Sequence, residues 1–282
     1  MDAKALPIQS AASLQALAHF VAQHPRLLVL TGAGVSTASG IPDYRDLDGG
    51  WKRPAPMTLQ QFMGSELAQA RYWARSMLGW RHVARAQPNS AHRALAELER
   101  RGRIELLVTQ NVDRLHQRAG SRKVVDLHGR LDRVRCMTCR RRLDRDRFQQ
   151  QLEQANPEWL QHRAEIAPDG DVYLEDVEFS RFDVPPCPHC GGILKPDVVY
   201  FGEGVPRHRV RRANRALERA DALLVIGSSL MVFSGYRFAA MAQRLGKPVA
   251  ALHHGRNRAD PLLELKVEAD CGEGLQALLA SI

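Results

Sequence analysis

Four of the five cysteines stand as two CxxC pairs, Cys136/Cys139 and Cys187/Cys190. Each such knuckle turns two thiolates towards one ion, so the two together supply four sulfurs to a tetrahedral Zn²⁺. Four thiolates leave no open position for water, which makes the expected metal structural. A redox CxxC is the alternative, and two pairs bracketing one module argue against it. His128 precedes the first knuckle in Asp126-Leu127-His128-Gly129, and Lys195–Glu203 follows the second. Gly32-Ala33-Gly34 ends an apolar run and would let backbone approach a phosphate, with a following helix offering its N-terminal N–H groups. Two glycines there are equally consistent with a plain tight turn. Gly227-Ser228-Ser229 repeats the pattern after a second run, and two such turns on neighbouring strands would cradle a dinucleotide. Neither turn is GxGxxG, and no acidic residue stands out as a ribose partner. Gln110, Asn111 and Asp113 sit just past a third apolar run. Unpaired there they would carry a desolvation cost, so partners are expected, although capping of local backbone would also satisfy them.

The elements that position these residues follow from periodicity. Residues 10–23 carry apolar side chains at helical spacing, and Leu27–Leu30 is a short buried-strand run. Residues 57–101 read as helical, broken at Pro88-Asn89, with Asn89 or Ser90 capping the last helix. Further strands are expected at Ile104–Val108, Val124-Val125, Val198–Phe201, Ala222–Ile226 and Val249–Leu252. Helices are expected from about Pro206 to Arg219, from Tyr236 to Leu245 and from Gly274 to Ala280. Alternating strands and helices imply an α/β fold, a doubly wound, parallel, Rossmann-like sheet with its ligand at the carboxyl ends of the strands. The stretch between Cys139 and Cys187 is long for a zinc ribbon, and Pro168-Asp169-Gly170-Asp171 suggests an extra loop.

Composition removes other classes. Hydrophobic residues make up 44% of the 282, enough for a full core. No apolar run approaches the roughly 20 residues of a membrane span, and neither a secretory signal nor a transit peptide is expected. A cytoplasmic protein follows, and five cysteines used this way suit a reducing compartment. The net charge of +9 admits polyanionic partners, but the basic residues are scattered among acids. The one dense run is Arg140-Arg141-Arg142 with Arg145 and Arg147, so nucleic acid is not the expected partner.

The ordered motifs resemble the sirtuin family of NAD-dependent protein deacylases. Those carrying the likeness are Gly32–Ser36, Ile41-Pro42-Asp43-Tyr44-Arg45, Thr109–His116, Leu127-His128-Gly129, the two CxxC pairs, Lys195–Glu203 and Gly227–Leu230. The likeness runs from about Leu27 to Cys271. Residues 71–75, 167–172 and 234–238 are most similar to class II, the branch of the mitochondrial sirtuin four, in a bacterial rather than organellar form. The resemblance implies a Rossmann-like NAD-binding domain made of residues 1–56, 102–130 and 195–282. A helical insertion (57–101) and a small zinc-binding domain (131–194) interrupt it. It implies that Gly32, Ala33, Gly34 and Ser36 meet the pyrophosphate, with Gly227, Ser228 and Ser229 opposite. Asp43, Tyr44 and Arg45 fall on a cofactor loop, Gln110 at the nicotinamide ribose, and Asn111 and Asp113 at the carboxamide. Cys271 falls beside the adenine, and His253 stands where many members place an asparagine towards the adenosine ribose. His128 becomes the general base, since imidazole titrates near neutrality.

By this likeness NAD is consumed: the acyl-lysine oxygen attacks C1′ of the nicotinamide ribose, nicotinamide leaves, and lysine and O-acyl-ADP-ribose result. Acylated-lysine proteins are the expected partners of a monomeric enzyme. Their backbone would pair with Val199, Phe201, Gly202 and Glu203 as an added strand, with the Val199 carbonyl accepting the acyl-lysine N–H. Tyr72 and Arg75, one helical turn apart, could hold an acidic acyl group such as glutaryl or methylglutaryl. Arg75 reads equally as an ordinary surface arginine. Protein mono-ADP-ribosyl transfer, and a non-enzymatic zinc module binding nucleic acid through Arg140–Arg147, are the competing functions.

Overall fold

Most of the apolar runs become strands of one sheet. The computed structural model describes residues 8–162, 165–167, 170–174 and 177–282. The strands are β1 (Leu27–Thr31), β2 (Ile104–Thr109), β3 (Val124–Asp126), β4 (Gly129–Cys136), β5 (Arg142–Asp144), β6 (Glu165–Ile166), β7 (Val172–Tyr173), β8 (Leu194–Val198), β9 (Ala222–Ile226), β10 (Val249–Leu252) and β11 (Leu265–Val267). The helices are α1 (Ile8–Gln23), α2 (Leu59–Gly64), α3 (Glu66–Arg85), α4 (Ser90–Arg100), α5 (Leu115–Arg118), α6 (Arg145–Ala155), α7 (Arg207–Arg219), α8 (Phe233–Arg244) and α9 (Cys271–Ser281).

The main sheet has the order β11-β10-β9-β1-β2-β3 and is parallel throughout. Every residue of β1 and β9 is buried, as expected of strands covered on both faces. Side-chain alternation divides β1 between two cores. Leu27 and Val29 pack with α1, α4 and α9, while Leu28 and Leu30 pack with α7 and α8. The chain runs outward from β1 to β3 on one side and from β9 to β11 on the other. The reversal of strand order therefore falls between β1 and β9, where such sheets open a crevice at their carboxyl ends.

The knuckles belong to a separate antiparallel sheet, β5-β4-β8. Its core joins Val134, Phe148 and Leu152 to Phe62 and Trp73 of α2 and α3, and the Trp73 indole N–H donates to the Leu194 carbonyl at 3.0 Å. α4, from the same helical stretch of sequence, instead covers the main sheet. Asn89 caps it, accepting from the N–H groups of Ala91 and His92. The run expected as a strand at Val198–Phe201 needs correction. The strand is Leu194–Val198, antiparallel to β4, and the chain leaves it at Val199. There the Glu203 carboxylate accepts from the Tyr200 N–H at 3.1 Å and from Lys195 Nζ at 3.0 Å, turning the segment back on itself. The extra loop between the knuckles forms a short hairpin of β6 and β7. Pro168 and Asp169 lie outside the described residues.

Candidate active site

The crevice between β1 and β9 opens into a cleft of about 580 Å³ that runs on past α3. Its floor is made where the two glycine turns meet. The Gly34 N–H donates to the Gly227 carbonyl at 2.9 Å. A Cβ at Gly32 would lie 2.7 Å from that of Ser228, and one at Gly227, whose φ is +58°, would lie 2.5 Å from the Val35 nitrogen. Side chains there would force the turns apart, so glycine is required by close approach as well as by backbone angle. The helix expected after Gly34 is absent. Short 3₁₀ turns, Ala33–Val35 and Thr37–Ser39, take its place, so the donors available to an anion are turn amides rather than a long helix terminus.

Behind this floor the polar residues are tied together by hydrogen bonds centred on Ser36 and on Ser228. The Ser36 hydroxyl donates to Asp113 Oδ2 at 2.7 Å and accepts from Asn111 Nδ2 at 3.0 Å. Asp113 Oδ1 takes the Leu115 N–H at 2.8 Å, and burial raises the Asp113 carboxyl pKa above its ordinary value. His92 Nε2 lies 3.5 Å from the Ser36 oxygen. Because His92 Nδ1 accepts the Asn89 N–H at 3.3 Å, its proton sits on Nε2 and points to Ser36. The serine then has its one donor and both lone pairs engaged. Gln110 donates to Ser228 Oγ at 2.7 Å, joining the β2 loop to the β9 turn. His92 is a residue that sequence reasoning missed; its only signal was its place three residues after the helix cap.

His128 is held from both sides. Its Nδ1 lies 3.0 Å from the Gln110 carbonyl, which can only accept, so Nδ1 carries the proton. Nε2 is left with its lone pair, 2.8 Å from the Ser234 hydroxyl. Burial pushes the imidazole pKa down to about 4, so the ring is neutral over the physiological range with its Nε2 lone pair unprotonated, and a weaker base than the near-neutral imidazole expected from the sequence. Ser234 too was unforeseen as a partner.

Burial likewise lowers His92 and His253 to about 4 and His116 well below its usual range. In the unfolded chain these rings titrate near 6.5. Between pH 6.5 and 4 the unfolded state therefore binds more protons, and stability falls as pH falls through that window. The raised Asp113 pKa works in the opposite direction. The melting midpoint should drop from pH 6.5 to 4, and His92→Gln should flatten the slope. An equal slope in wild type and variant would refute this.

The remaining expected residues separate into two groups. Asp43, Tyr44 and Arg45 line the cleft in a loop closed by Arg45, whose guanidinium stacks 3.8 Å over Trp51 and donates to the Gly49 carbonyl at 2.8 Å. Trp51 meets Phe201 edge-on, with centroids 5.5 Å apart. Ser229 and His253 also line the cleft, as do Tyr72, Arg75, Val199, Phe201, Gly202 and Glu203. Two of these are already partly engaged. The Val199 N–H donates to the His128 carbonyl at 2.7 Å, and the Phe201 carbonyl accepts from the Leu59 N–H at 3.0 Å. Cys271 is not brought to the cleft. Its thiol is buried in the α1–α4–α9 core and its pKa is pushed up to about 12 by burial, because α9 turns that side chain inward.

The four knuckle sulfurs all lie within 4.8 Å of one another, with Cys136 and Cys190 at 3.5 Å and Cys139 and Cys187 at 3.8 Å. Sulfurs about 2.3 Å from a tetrahedral zinc would be about 3.8 Å apart, so the donor set fits that ion. Each knuckle ends on a left-handed residue, Arg140 (φ +62°) and Gly191 (φ +69°), whose N–H bonds back to the carbonyl of Cys136 or Cys187.

The profile of the Sir2 family matches residues 32–234, from the first glycine turn to the serine beside His128. The chain belongs to the Sir2 family. The NAD-dependent protein deacetylase of Xanthomonas axonopodis pv. citri (strain 306) is 62% identical over 94% of this chain and 90% of its own. That of Bordetella pertussis (strain Tohama I / ATCC BAA-589 / NCTC 13251) is 63% identical over 93% of this chain and 96% of its own. A solved Sir2–p53 peptide–NAD⁺ complex superposes with a TM-score of 0.73 at 29% identity, covering 95% of this chain and 97% of that one. This Sir2-family protein thus carries its cysteine cluster and its polar cleft within one shared architecture.

Proposed function

We infer that this Sir2-family protein is an NAD-dependent protein-lysine deacylase. The observation that carries the reading is the placement of His128, Nδ1 bonded to the Gln110 carbonyl and the ring lining the cleft beside the paired glycine turns. NAD supplies the ADP-ribosyl group that receives the acyl chain, with release of nicotinamide. Ala33, Gly34, Ser228 and Ser229 border the place for its pyrophosphate. Ser36 holds Asn111 and Asp113 in the orientation from which amide and acid can meet a carboxamide, donor to acceptor. His128 takes the proton of a ribose hydroxyl, which makes that oxygen the nucleophile towards the activated acyl carbon. The zinc expected at the four cysteines has no part in the chemistry, since four thiolates fill its coordination.

The substrate backbone is proposed to lie along Val199–Glu203, on the edge not already tied to His128 and Leu59. Tyr72 and Arg75 border the proposed acyl end, the place where the Tyr-x-x-Arg spacing alone would put an acidic acyl group. Nicotinamide release should require an acyl-lysine peptide and be ranked across acetyl, succinyl, methylglutaryl and long-chain peptides. Release without any acyl peptide, with ADP-ribose left on protein, would sink the deacylase reading in favour of ADP-ribosyl transfer.

A further inference from the structure

Arg75 does not enter the cleft as an isolated cation. Its Nη2 lies 3.1 Å from Asp171 Oδ2, and its Nε donates to the Val172 carbonyl at 2.7 Å. The Asp171 side chain is only 5% exposed, and its other oxygen accepts the Val172 N–H at 2.8 Å. Both residues line the same cleft as Tyr72.

The contact is built into the backbone. Gly79 lies one turn beyond Arg75 on α3, and a Cβ there would stand 2.6 Å from the Gly170 carbonyl oxygen and 2.7 Å from that of Asp171. Gly170, at φ +74°, has Leu131 and Val83 within 3.0 Å of where its own Cβ would be. A glycine on each side thus lets the hairpin rest directly on α3, and this seating delivers the Asp171 carboxylate to the guanidinium.

We propose that Asp171 is a specificity-determining residue that competes with the carboxylate of an acidic acyl group for Arg75. The proposal rests on the deacylase reading above. A succinyl or glutaryl chain gains its ion pair only by breaking one that already exists. It must also bring a second carboxylate to a site where the first is buried, and like charges at short range disfavour each other. A neutral acyl chain leaves the pair intact. The Tyr-x-x-Arg spacing alone would point to acidic substrates; the structure adds the counter-ion that opposes them.

The test compares kcat/KM for acetyl-lysine and glutaryl-lysine peptides of one sequence in four proteins: wild type, Asp171→Asn, Arg75→Gln and the double variant. Wild type should favour acetyl. Asp171→Asn, similar in shape but uncharged, should raise the glutaryl-to-acetyl ratio at least tenfold, and the double variant should show no such rise because the gain requires Arg75. Asp171→Ser carries the same test if the asparagine variant does not fold. A wild-type preference for glutaryl, a ratio within twofold of wild type in the charge-free variants, or an undiminished rise in the double variant overturns the assignment while leaving deacylation in place. No turnover of either peptide by folded wild type overturns both.

Discussion

Replacing His128 with alanine is expected to lower steady-state deacylation by about 10²–10⁴-fold, the usual worth of a positioned general base. The ring is the part of the cleft whose protonation state the surroundings define most completely. One nitrogen is committed to a carbonyl, the other is kept as a lone pair, and burial lowers the pKa to about 4. The acid limb of kcat/KM, which reports the free protein, should accordingly fall below the pH 6.5 of an ordinary histidine. A variant that retains wild-type turnover, or an acid limb near 6.5 assignable to His128, would remove the ring from this role. NAD binding measured by calorimetry should survive the substitution, separating loss of chemistry from loss of the cleft.

Stripping the metal should have an effect of comparable size, on folding rather than on chemistry. Structural zinc in small modules binds with about 10–16 kcal/mol of apparent free energy, which is folding energy when no site exists in the unfolded chain. Here the sulfurs hold the ends of β4 and of the segment leading into β8. The core beneath includes Trp73, whose ring meets Phe148 edge-on with centroids 4.8 Å apart. Strong chelation, or Cys136→Ala with Cys187→Ala, should abolish the near-UV circular dichroism of this aromatic core and lower the melting midpoint. Turnover should fall as well, because Tyr72 and Arg75 of α3 line the cleft where the acyl chain is proposed to lie. An unchanged spectrum and midpoint after verified zinc removal would show that hydrophobic packing alone holds the module.

The sequence made legible what depends on short-range pattern. Leu27–Leu30 and Ala222–Ile226 announced buried parallel strands because both faces are covered and no alternation dilutes the run. Cysteine spacing announced the metal cluster, and the Asn89-Ser90 pair announced the start of α4, which Asn89 caps. β4 was invisible for the opposite reason. Gly129–Cys136 has arginine and aspartate on a half-buried surface, and its strand character comes from pairing with β8 rather than from propensity. That same pairing placed the strand at Leu194–Val198 instead of Val198–Phe201. The Ser36–His92 and His128–Ser234 contacts, and the Arg75–Asp171 pair, join residues 56 to 106 positions apart. No local period encodes such meetings. They exist because the sheet and the hairpin bring distant segments to one place.

The β4–β8 pair has one further consequence. Gly129 is paired with Val198 at one end and Cys136 with Leu194 at the other. His128 and Val199 are the residues immediately beyond the first end, and they are bonded to each other. The cysteine end and the His128 end thus belong to one strand pair, whose register shifts between Gly129 and Val134. A slip of one residue where Gly129 pairs with Val198 would reverse side-chain facing there, and would carry the segment proposed to receive the peptide out of step with the imidazole. The proposed proton acceptor and the proposed peptide segment are thus held in step by one local pairing, Gly129 with Val198.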